Sequence, residues 1–358
     1  MTHVLVARLD SLGDVLLTGP AVRAVAAAAD RVTFLAGPRG RAAAELLPSV
    51  DEVLSFRAPW IDPEPSAVDT RLTLGLVATI AAARIDQAII LTSFHQNPLP
   101  LALLLRMAGV PTVAAVSEDY PGSLLDVRHR VDDDVHEVER NLSLVGTLGY
   151  RLPPGDDGRL AVRRRPACDP AAGYGATGGG VAGAFDGPYV VVHPGTSVPA
   201  RAWPPARHRS LVAALVDGGW PVVVTGSPAE QALTATVAGG PTGAADLGGV
   251  TDLAGLAEVL AGARAVVVGN TGPAHLAAAV GAPVVSLFAP TVPSVRWRPW
   301  GVPHALLGDH RVPCAGCRAK VCPVAGQPCL ASISVADVLG AVGALAGPAP
   351  VPRLAVAG

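Results

Sequence analysis

The sequence predicts an α/β protein with two Rossmann-like, doubly wound parallel-sheet domains that face a cleft. Short runs rich in Val, Ile and Leu alternate with Ala-rich helical stretches in both halves of the chain, which is typical of parallel sheets covered by helices. The chain has 358 residues, a length that favours two domains over one. Half of the residues are hydrophobic and 16% are charged, so each domain can bury a sizeable core.

The first half opens with a strand in 4–9, VLVARL, followed by the turn DSLGD and an Ala-rich helix from Val15 to about Ala29. Further short apolar runs predict strands in 31–36, 86–93 and 112–116 and a helix in 99–109. We assign residues 1–165 to the first domain.

The second half repeats this alternation after a segment rich in Pro and Gly, which we interpret as a linker in 166–188. The second domain is predicted in 189–335, and a C-terminal helix and tail in 336–358. Thr251 is the expected N-cap of one helix. The linker contains the pattern G-x-G-x-x-G at 178–183, but no strand precedes it and no acidic residue follows about 20 positions later, which argues against a dinucleotide site.

The charge pattern excludes some partners and compartments. A formal net charge of −2 offers no basic face for nucleic acid. The N-terminal apolar run is too short for a signal peptide, so we expect a cytoplasmic protein. Residues 265–295 contain no charged side chain, but their Gly-Pro and Gly-Ala-Pro breaks favour a buried strand-helix-strand over a membrane span. The run LPLALLLRMAG favours a buried helix and leaves open a peripheral contact with a membrane.

The segment VVVGNTGPAHLAAAVGAPVVSLF, residues 266–288, predicts a strand, a sharp break and a helix. Pro273 suits the first turn of a helix, where exposed N–H groups and the helix dipole favour an anion. His275 lies in that first turn and offers a further donor. Asn270, Thr271 and Gly272 form the break. An ordinary strand-to-helix turn with a buried histidine is the alternative.

A second strand ends in the same way in VVHPGTSVPARAWPP, residues 191–205. Thr196 and Ser197 offer hydroxyl and N–H donors, and Arg201 offers a forked cation that suits phosphate oxygens. The alternative is a polar loop with a solvated arginine. Glu230 follows a third strand, where a carboxylate can accept hydrogen bonds from a ribose, or can simply favour the positive end of a helix.

Asp14 in the first domain lies where the loop DSLGD meets a helix. Aspartate is a preferred N-cap, which is the structural explanation. The functional hypothesis is a carboxylate that acts as a general base on a ligand held by the second domain.

Two clusters raise the question of a metal. Asp132, Asp133 and Asp134 precede a helix, where acidic residues are ordinary compensation for the helix dipole, so we expect no metal there. Cysteines recur with the spacing C-x2-C-x4-C-x6-C at positions Cys314, Cys317, Cys322 and Cys329. Structural zinc, reduced thiols and a disulfide are all compatible with this spacing, although the cytoplasm disfavours a disulfide.

Several ordered motifs resemble family 9 of the glycosyltransferases, the heptosyltransferase-like family with the two-domain GT-B fold. They are LGDVLLTGPAVRAV, HEVERNLSLVGTLG, VVHPGTS with RAWP, GSPAE, and NTGPAHLAAAVGAPVVSLFAPTVP. The resemblance implies transfer of a sugar, commonly a heptose from an ADP-linked donor, with inversion and without a metal or other cofactor. The acceptor implied is a glycan, glycolipid or small molecule, and the first domain is implied to be on the acceptor side.

The resemblance also implies roles for individual residues. Asp14 matches the proposed catalytic base, and Glu230 matches the residue on the donor ribose. The residues implied around the donor diphosphate are Thr196, Ser197, Thr271, Gly272 and His275. The family usually has lysine where Arg201 stands and aspartate where Asn270 stands, so the identity of the donor is the property most affected. Two other functions remain open, a sugar-nucleotide-binding protein without catalysis and a GT-B sugar-nucleotide epimerase.

Overall fold

The computed structural model describes residues 1–132, 134–164, 187–239 and 244–350. The chain divides into two compact units, Met1–Arg163 and Arg164–Gly358. Residues 166–186 of the predicted linker, with its glycine pattern at 178–183, and Asp133 lie outside the described residues. Among the helices described, none is long and apolar enough to cross a bilayer.

The first unit is one sheet of six strands in the order β3-β2-β1-β4-β5-β6, and every pairing is parallel. The central strand β1 is buried along almost its whole length because helices cover both faces of a parallel sheet. The strands are β1 His3–Arg8, β2 Arg31–Ala36, β3 Glu52–Ser55, β4 Gln87–Ile90, β5 Thr112–Val116 and β6 Val127–His129. The helices are α1 Leu12–Leu16, α2 Gly19–Ala26, α3 Arg41–Leu46, α4 Thr70–Ala83, α5 Leu99–Met107 and α6 Glu137–Thr147.

The second unit repeats this strand order as β9-β8-β7-β10-β11-β12, again with parallel pairing throughout. Its strands are β7 Tyr189–His193, β8 Val222–Gly226, β9 Ala244–Gly248, β10 Ala263–Gly269, β11 Val284–Leu287 and β12 His304–Leu307. Its helices are α7 Pro205–Asp217, α8 Gln231–Ala238, α9 Leu253–Ala261, α10 Gly272–Ala279, α11 Ser294–Trp297, α12 Pro328–Ala331 and α13 Val335–Ala346. The predicted fold class, two doubly wound α/β sheets, is confirmed.

Two local predictions differ from the structure. The helix predicted from Val15 to Ala29 is two helices, α1 and α2, with a break at Leu17 and Thr18. The N-cap of α9 is Asp252 and not Thr251, because the Asp252 carboxylate accepts from the N–H of Gly255 at 2.7 Å. The C-terminal helix α13 packs on β10, β11 and β12 and contributes to the core of the second unit.

Candidate functional site

Each sheet has a topological switch point where the chain returns beside its first strand, between β1 and β4 and between β7 and β10. Open α/β sheets bind ligands outside the carboxyl ends of the strands at such points. The predicted residues of the second unit follow β7, β8 and β10, and Asp14 follows β1. The strand order therefore places the candidates at the ligand-binding edge of each sheet.

The N-terminus of α10 has the properties of an anion site. Its N-cap, Thr271, has extended backbone geometry, and its side chain makes no capping hydrogen bond. Pro273 occupies the first turn. The imidazole of His275 lies in the same turn and is 5% exposed. Pro273 has no N–H, and the N–H of Ala274 donates to the Thr271 carbonyl oxygen at 3.0 Å. The N–H of Gly272 is not claimed by a side-chain cap, and the helix dipole favours an anion there.

Arg201 connects the loop after β7 to two other strand ends. Its Nε donates to Thr291 Oγ1 at 3.0 Å, and Nη1 donates to the carbonyl oxygen of Asn270 at 3.4 Å. Thr291 follows β11 and is 3% exposed. The guanidinium is therefore oriented by protein contacts at the end of β10. Thr291 was not predicted from the sequence, although the strand VVSL just before it ends at the same sheet edge.

Asn270 is buried where β10 meets α10. Its Nδ2 donates to the carbonyl oxygen of Ala289 at 3.3 Å. Its Oδ1 is buried and has no hydrogen-bond partner in the described part of the chain. Aspartate could not donate to Ala289, so the amide at this position has a specific local role.

Thr196 and Ser197 lie directly after β7. The Thr196 hydroxyl accepts from the N–H of Val198 at 3.2 Å, so it forms a local turn. Ser197 is exposed. Their position fits the prediction of donor-binding residues, and their role in binding stays a prediction.

Glu230 belongs to a capping box at the start of a short 3-10 turn, Pro228–Glu230. Its Oε2 accepts from the N–H of Ser227 at 2.8 Å and from the Ser227 hydroxyl at 2.7 Å. A Cβ atom at Gly195 would lie 2.0 Å from Glu230 Oε1. Gly195 therefore lets this carboxylate lie against the backbone just after β7.

Two buried histidines, His193 at the end of β7 and His208 in α7, were not predicted from the sequence. His193 Nδ1 lies 3.0 Å from Thr225 Oγ1. Burial lowers the pKa of His193 to about 4, although the charge of Glu230 opposes the shift. Burial also lowers the pKa of His208 to about 4, and His193 adds to the effect. Both imidazoles are therefore neutral at pH 7.

In the first unit, Arg8 is the centre of a buried ionic network. It lies at the end of β1 and its side chain is 0% exposed. Nε donates to Asp10 at 2.7 Å, Nη1 to Glu137 at 3.0 Å, and Nη2 to Asp14 at 3.2 Å and to Ser93 Oγ at 2.6 Å. One guanidinium thus holds three carboxylates.

Asp14 is fixed at both oxygens. Oδ1 accepts from Arg8 and Oδ2 accepts from the Ser11 hydroxyl at 2.6 Å. The N-cap of α1 is Ser11, and Asp14 lies in the first turn, so the N-cap explanation for Asp14 is wrong. Its side chain is 17% exposed, which leaves it accessible to a ligand.

Burial and mutual charge interactions shift the pKa values of the residues in this network. Burial raises the pKa of Asp10 to about 6, although the charge of Arg8 opposes the shift. Burial likewise raises the pKa of Glu137. Burial alone would lower the pKa of Arg8, but the three carboxylates more than compensate and raise it. The excess of acidic groups around one cation makes this edge a place where a proton can be accepted near neutral pH.

The sequence analysis singled out only Asp14 from this network. An arginine inside the apolar strand VLVARL was the available signal, because a buried charge needs partners. Glu137 is far away in the chain, and its pairing with Arg8 depends on tertiary packing. The missed members are Arg8, Asp10, Ser93, Gln96 and Glu137.

A small, partly open cavity lies at the same edge of the first unit. Residues after β1 and β4 line it, together with Trp60 and Ile61. Gln96, one of its lining residues, donates to Asp10 Oδ2 at 3.1 Å. None of the described residues that line this cavity is charged. This uncharged cavity therefore lies next to the acidic network, and Gln96 contacts both.

Within the described residues, no three histidine, cysteine or acidic side chains are placed to share one metal ion. The four clustered cysteines are free thiols. The fifth, Cys168, lies outside the described residues.

The amino-acid sequence is similar to a known family and to named relatives. The family model of glycosyltransferase family 9 (heptosyltransferase) matches residues 76–327. The chain is 36% identical to lipopolysaccharide heptosyltransferase 1 of Pseudomonas aeruginosa over 236 residues, which are 63% of this chain and 61% of that protein. It is 27% identical to the Salmonella typhimurium protein of the same name, over 82% of this chain and 90% of that protein.

Solved structures share the fold. A heptosyltransferase of E. coli, solved with ADP-2-deoxy-2-fluoro heptose, is 22% identical with a TM-score of 0.68 and covers 95% of this chain and 98% of its own. The family model spans more than half of the chain, and its matched region includes every predicted residue of the second unit. This chain belongs to glycosyltransferase family 9.

Proposed function

We propose that this protein is an inverting glycosyltransferase that moves a heptose or related sugar from a nucleoside-diphosphate donor, ADP-linked, to a glycan, glycolipid or small-molecule acceptor. The observation that carries the proposal is the convergence of Arg201, His275 and the uncapped N-terminus of α10 at the end of β10. These are the groups that a diphosphate leaving group needs.

The second unit is the donor side in this proposal. The N–H of Gly272, with His275 and Arg201, stabilises the negative charge that develops on the departing diphosphate, which is electrostatic catalysis. Glu230 accepts hydrogen bonds from the ribose. The bound ADP-2-deoxy-2-fluoro heptose of the E. coli structure supports an ADP-linked donor. No metal takes part in this reaction scheme, because protein groups supply the positive charge.

Asp14 is the proposed general base. Arg8 and Ser11 hold both of its oxygens, so the carboxylate has one orientation. It removes the proton of an acceptor hydroxyl as that oxygen attacks the anomeric carbon, and a single displacement inverts the configuration. General-base catalysis of this kind is worth about 10² to 10⁴ in rate.

The uncharged cavity beside Asp10 is the proposed acceptor pocket. Its Trp60 and aliphatic walls suit an apolar face of the acceptor, such as one face of a sugar ring or an attached apolar group. An anionic acceptor group would find no cation among the described residues that line the pocket.

The test separates binding from transfer. Calorimetry with ADP and adenosine should show that His275→Ala weakens ADP at least about tenfold more than adenosine, which corresponds to the loss of one charge-assisted contact. Asp14→Asn should bind ADP like the wild type and release no ADP from ADP-heptose in the presence of acceptor. Asp217→Asn, an exposed change at the end of α7, is the matched control and should retain transfer.

Three outcomes would contradict the proposal. Wild-type turnover by Asp14→Asn would exclude that carboxylate as the base. Equal losses of ADP and adenosine by His275→Ala would exclude the diphosphate contact. A sugar-nucleotide product formed without any acceptor would indicate an epimerase.

A further inference from the structure

The longest irregular segment between two regular elements of the described second unit lies between β12 and α12, from Gly308 to Gln327. Irregular segments of this length in a compact unit usually carry a function or need a stabilising link. This segment contains Cys314, Cys317 and Cys322, and Cys329 follows in α12. The glycosyl transfer proposed above uses none of these thiols.

The four thiols line one cavity. The cavity is small, and its other walls include Ala200, Pro290 and Thr291. Cys329 is buried in the core of the second unit, whereas Cys317 is exposed. Tertiary structure has thus gathered cysteines that are spread over the segment.

The lining of this cavity indicates its ligand. Four cysteines around one space are the donor set of structural zinc, of a single iron ion and of iron–sulfur clusters. No three of the thiols already share the position of a single ion. A single ion therefore requires side-chain rotation into the cavity, while an iron–sulfur cluster spaces its cysteine ligands more widely.

We propose that Cys314, Cys317, Cys322 and Cys329 bind a thiolate-ligated metal centre, which is one zinc or iron ion or an iron–sulfur cluster. Each thiol gives up its proton as its sulfur coordinates the metal. Iron and sulfide supply the cluster in the second case. The centre cross-links the irregular segment to the core through Cys329.

The segment also supports the loops that hold Arg201. The N–H of Ala200 donates to the Lys320 carbonyl oxygen at 3.0 Å, and Gln327 Nε2 donates to the Ala200 carbonyl oxygen at 2.7 Å. Ala200 precedes Arg201 in the chain. The segment therefore anchors the 3-10 turn Pro199–Arg201 on one side.

The same segment anchors the partner of Arg201. The N–H of Gly316 donates to the Pro290 carbonyl oxygen at 2.7 Å, and the N–H of Arg318 donates to the Thr291 carbonyl oxygen at 3.0 Å. Thr291 accepts from Arg201 Nε. The metal centre is thus a positioning element for the guanidinium, and this consequence rests on the proposed donor site.

The primary experiment measures metal and does not depend on glycosyl transfer. The full-length protein is purified anaerobically, and its zinc, iron and acid-labile sulfide are quantified together with its visible absorption. We expect about one centre per chain. A colourless zinc protein indicates a single zinc ion, coloured iron without sulfide indicates a single iron ion, and iron with sulfide indicates a cluster.

Two variants localise the centre. Cys317→Ser changes an exposed ligand, so the fold should tolerate it, and it should lose the metal. Cys168→Ser is the matched control outside the cluster and should keep it. In the wild type, the four thiols should resist alkylation until a chelator removes the metal, a readout that needs no variant.

The proposal is wrong if neither the isolated protein nor protein incubated with Zn²⁺, or with Fe²⁺ and sulfide, holds stoichiometric metal. It is also wrong if Cys317→Ser retains the metal, or if mass spectrometry finds disulfides among the four cysteines in the anaerobic protein. Metal removal should weaken ADP binding about tenfold, close to the worth of one oriented charged contact. Metal that binds without any effect on ADP would leave the centre in place and exclude its positioning role.

Discussion

Replacing Arg8 with methionine should destabilise the first unit strongly. The substitution keeps a long apolar stem and removes the guanidinium that holds three carboxylates. The Arg8 side chain is 0% exposed and so is that of Glu137. Water therefore cannot replace the lost cation without opening the structure, and the carboxylates of Asp10, Asp14 and Glu137 are left to repel one another.

The size of the expected loss in stability follows from the burial of this ion pair. Removing one partner of a buried ion pair costs about 3 to 5 kcal/mol. For a unit of this size, 1 kcal/mol corresponds to about 2 to 4 °C in Tm, so the first unit should melt roughly 10 °C lower. The loss should be smaller at pH 5 than at pH 8. Without Arg8 the pKa values of Asp10 and Glu137 rise further, so protonation of these two groups relieves the repulsion at the lower pH.

The assay is differential scanning calorimetry at both pH values, with Arg31→Met as the matched control. Arg31 pairs with Glu52 at 2.7 Å, but their side chains are 52% and 42% exposed. Such a pair is worth about 0 to 1 kcal/mol. The double variant Arg8→Met/Glu137→Gln should recover part of the loss because it removes one of the unpaired charges. A loss below about 1 kcal/mol, or an equal loss at both pH values, would refute the reasoning.

Two further predictions concern the second unit. His208→Phe should reduce the loss of stability on acidification. The pKa of His208 is about 4 because burial disfavours its charged form. The wild type therefore loses about 3 kcal/mol of stability from this group as the pH falls from above 6.5 to 4. Parallel acid-melting curves for the two proteins would contradict this assignment. Thr291→Val keeps the volume but removes the hydroxyl that accepts from Arg201; ADP should bind about 5- to 10-fold more weakly in calorimetry, and an unchanged ADP affinity would show that this hydrogen bond does not orient the guanidinium.

The inner strands of both sheets could be predicted because a strand buried on two faces needs a continuous apolar run, as in residues 31–36 and 112–116. The short strand β6, with its partly exposed and polar residues Val127–His129, carries no such signal. Its pairing with β5 depends on the rest of the sheet. Local propensity decides neither the helix break after Leu16 nor the choice of Asp252 over its neighbour as N-cap.

The same distinction, between local sequence signals and contacts made in the folded sheet, applies to the candidate site. Residues that follow a strand and open a helix, such as Asn270 and His275, could be predicted from the chain itself. Contacts between distant segments could not. Glu137 meets Arg8, and Thr291 meets Arg201, only because the sheet order brings them together. Asp14 could be singled out from the sequence as a candidate, but the reason for its fixed orientation lies in Arg8 and Ser11.

The segment that carries the cysteines also contains Lys320, the single lysine of the sequence. Its side chain is exposed, while its backbone carbonyl contacts the turn before Arg201. Amine-reactive dyes can therefore modify only this side chain and the α-amino group. The lower pKa of an α-amino group allows the two to be addressed separately by the choice of pH. The protein thus offers a natural attachment point for a fluorophore near the proposed donor site. Ligand exchange can be followed from this point without mutating the chain.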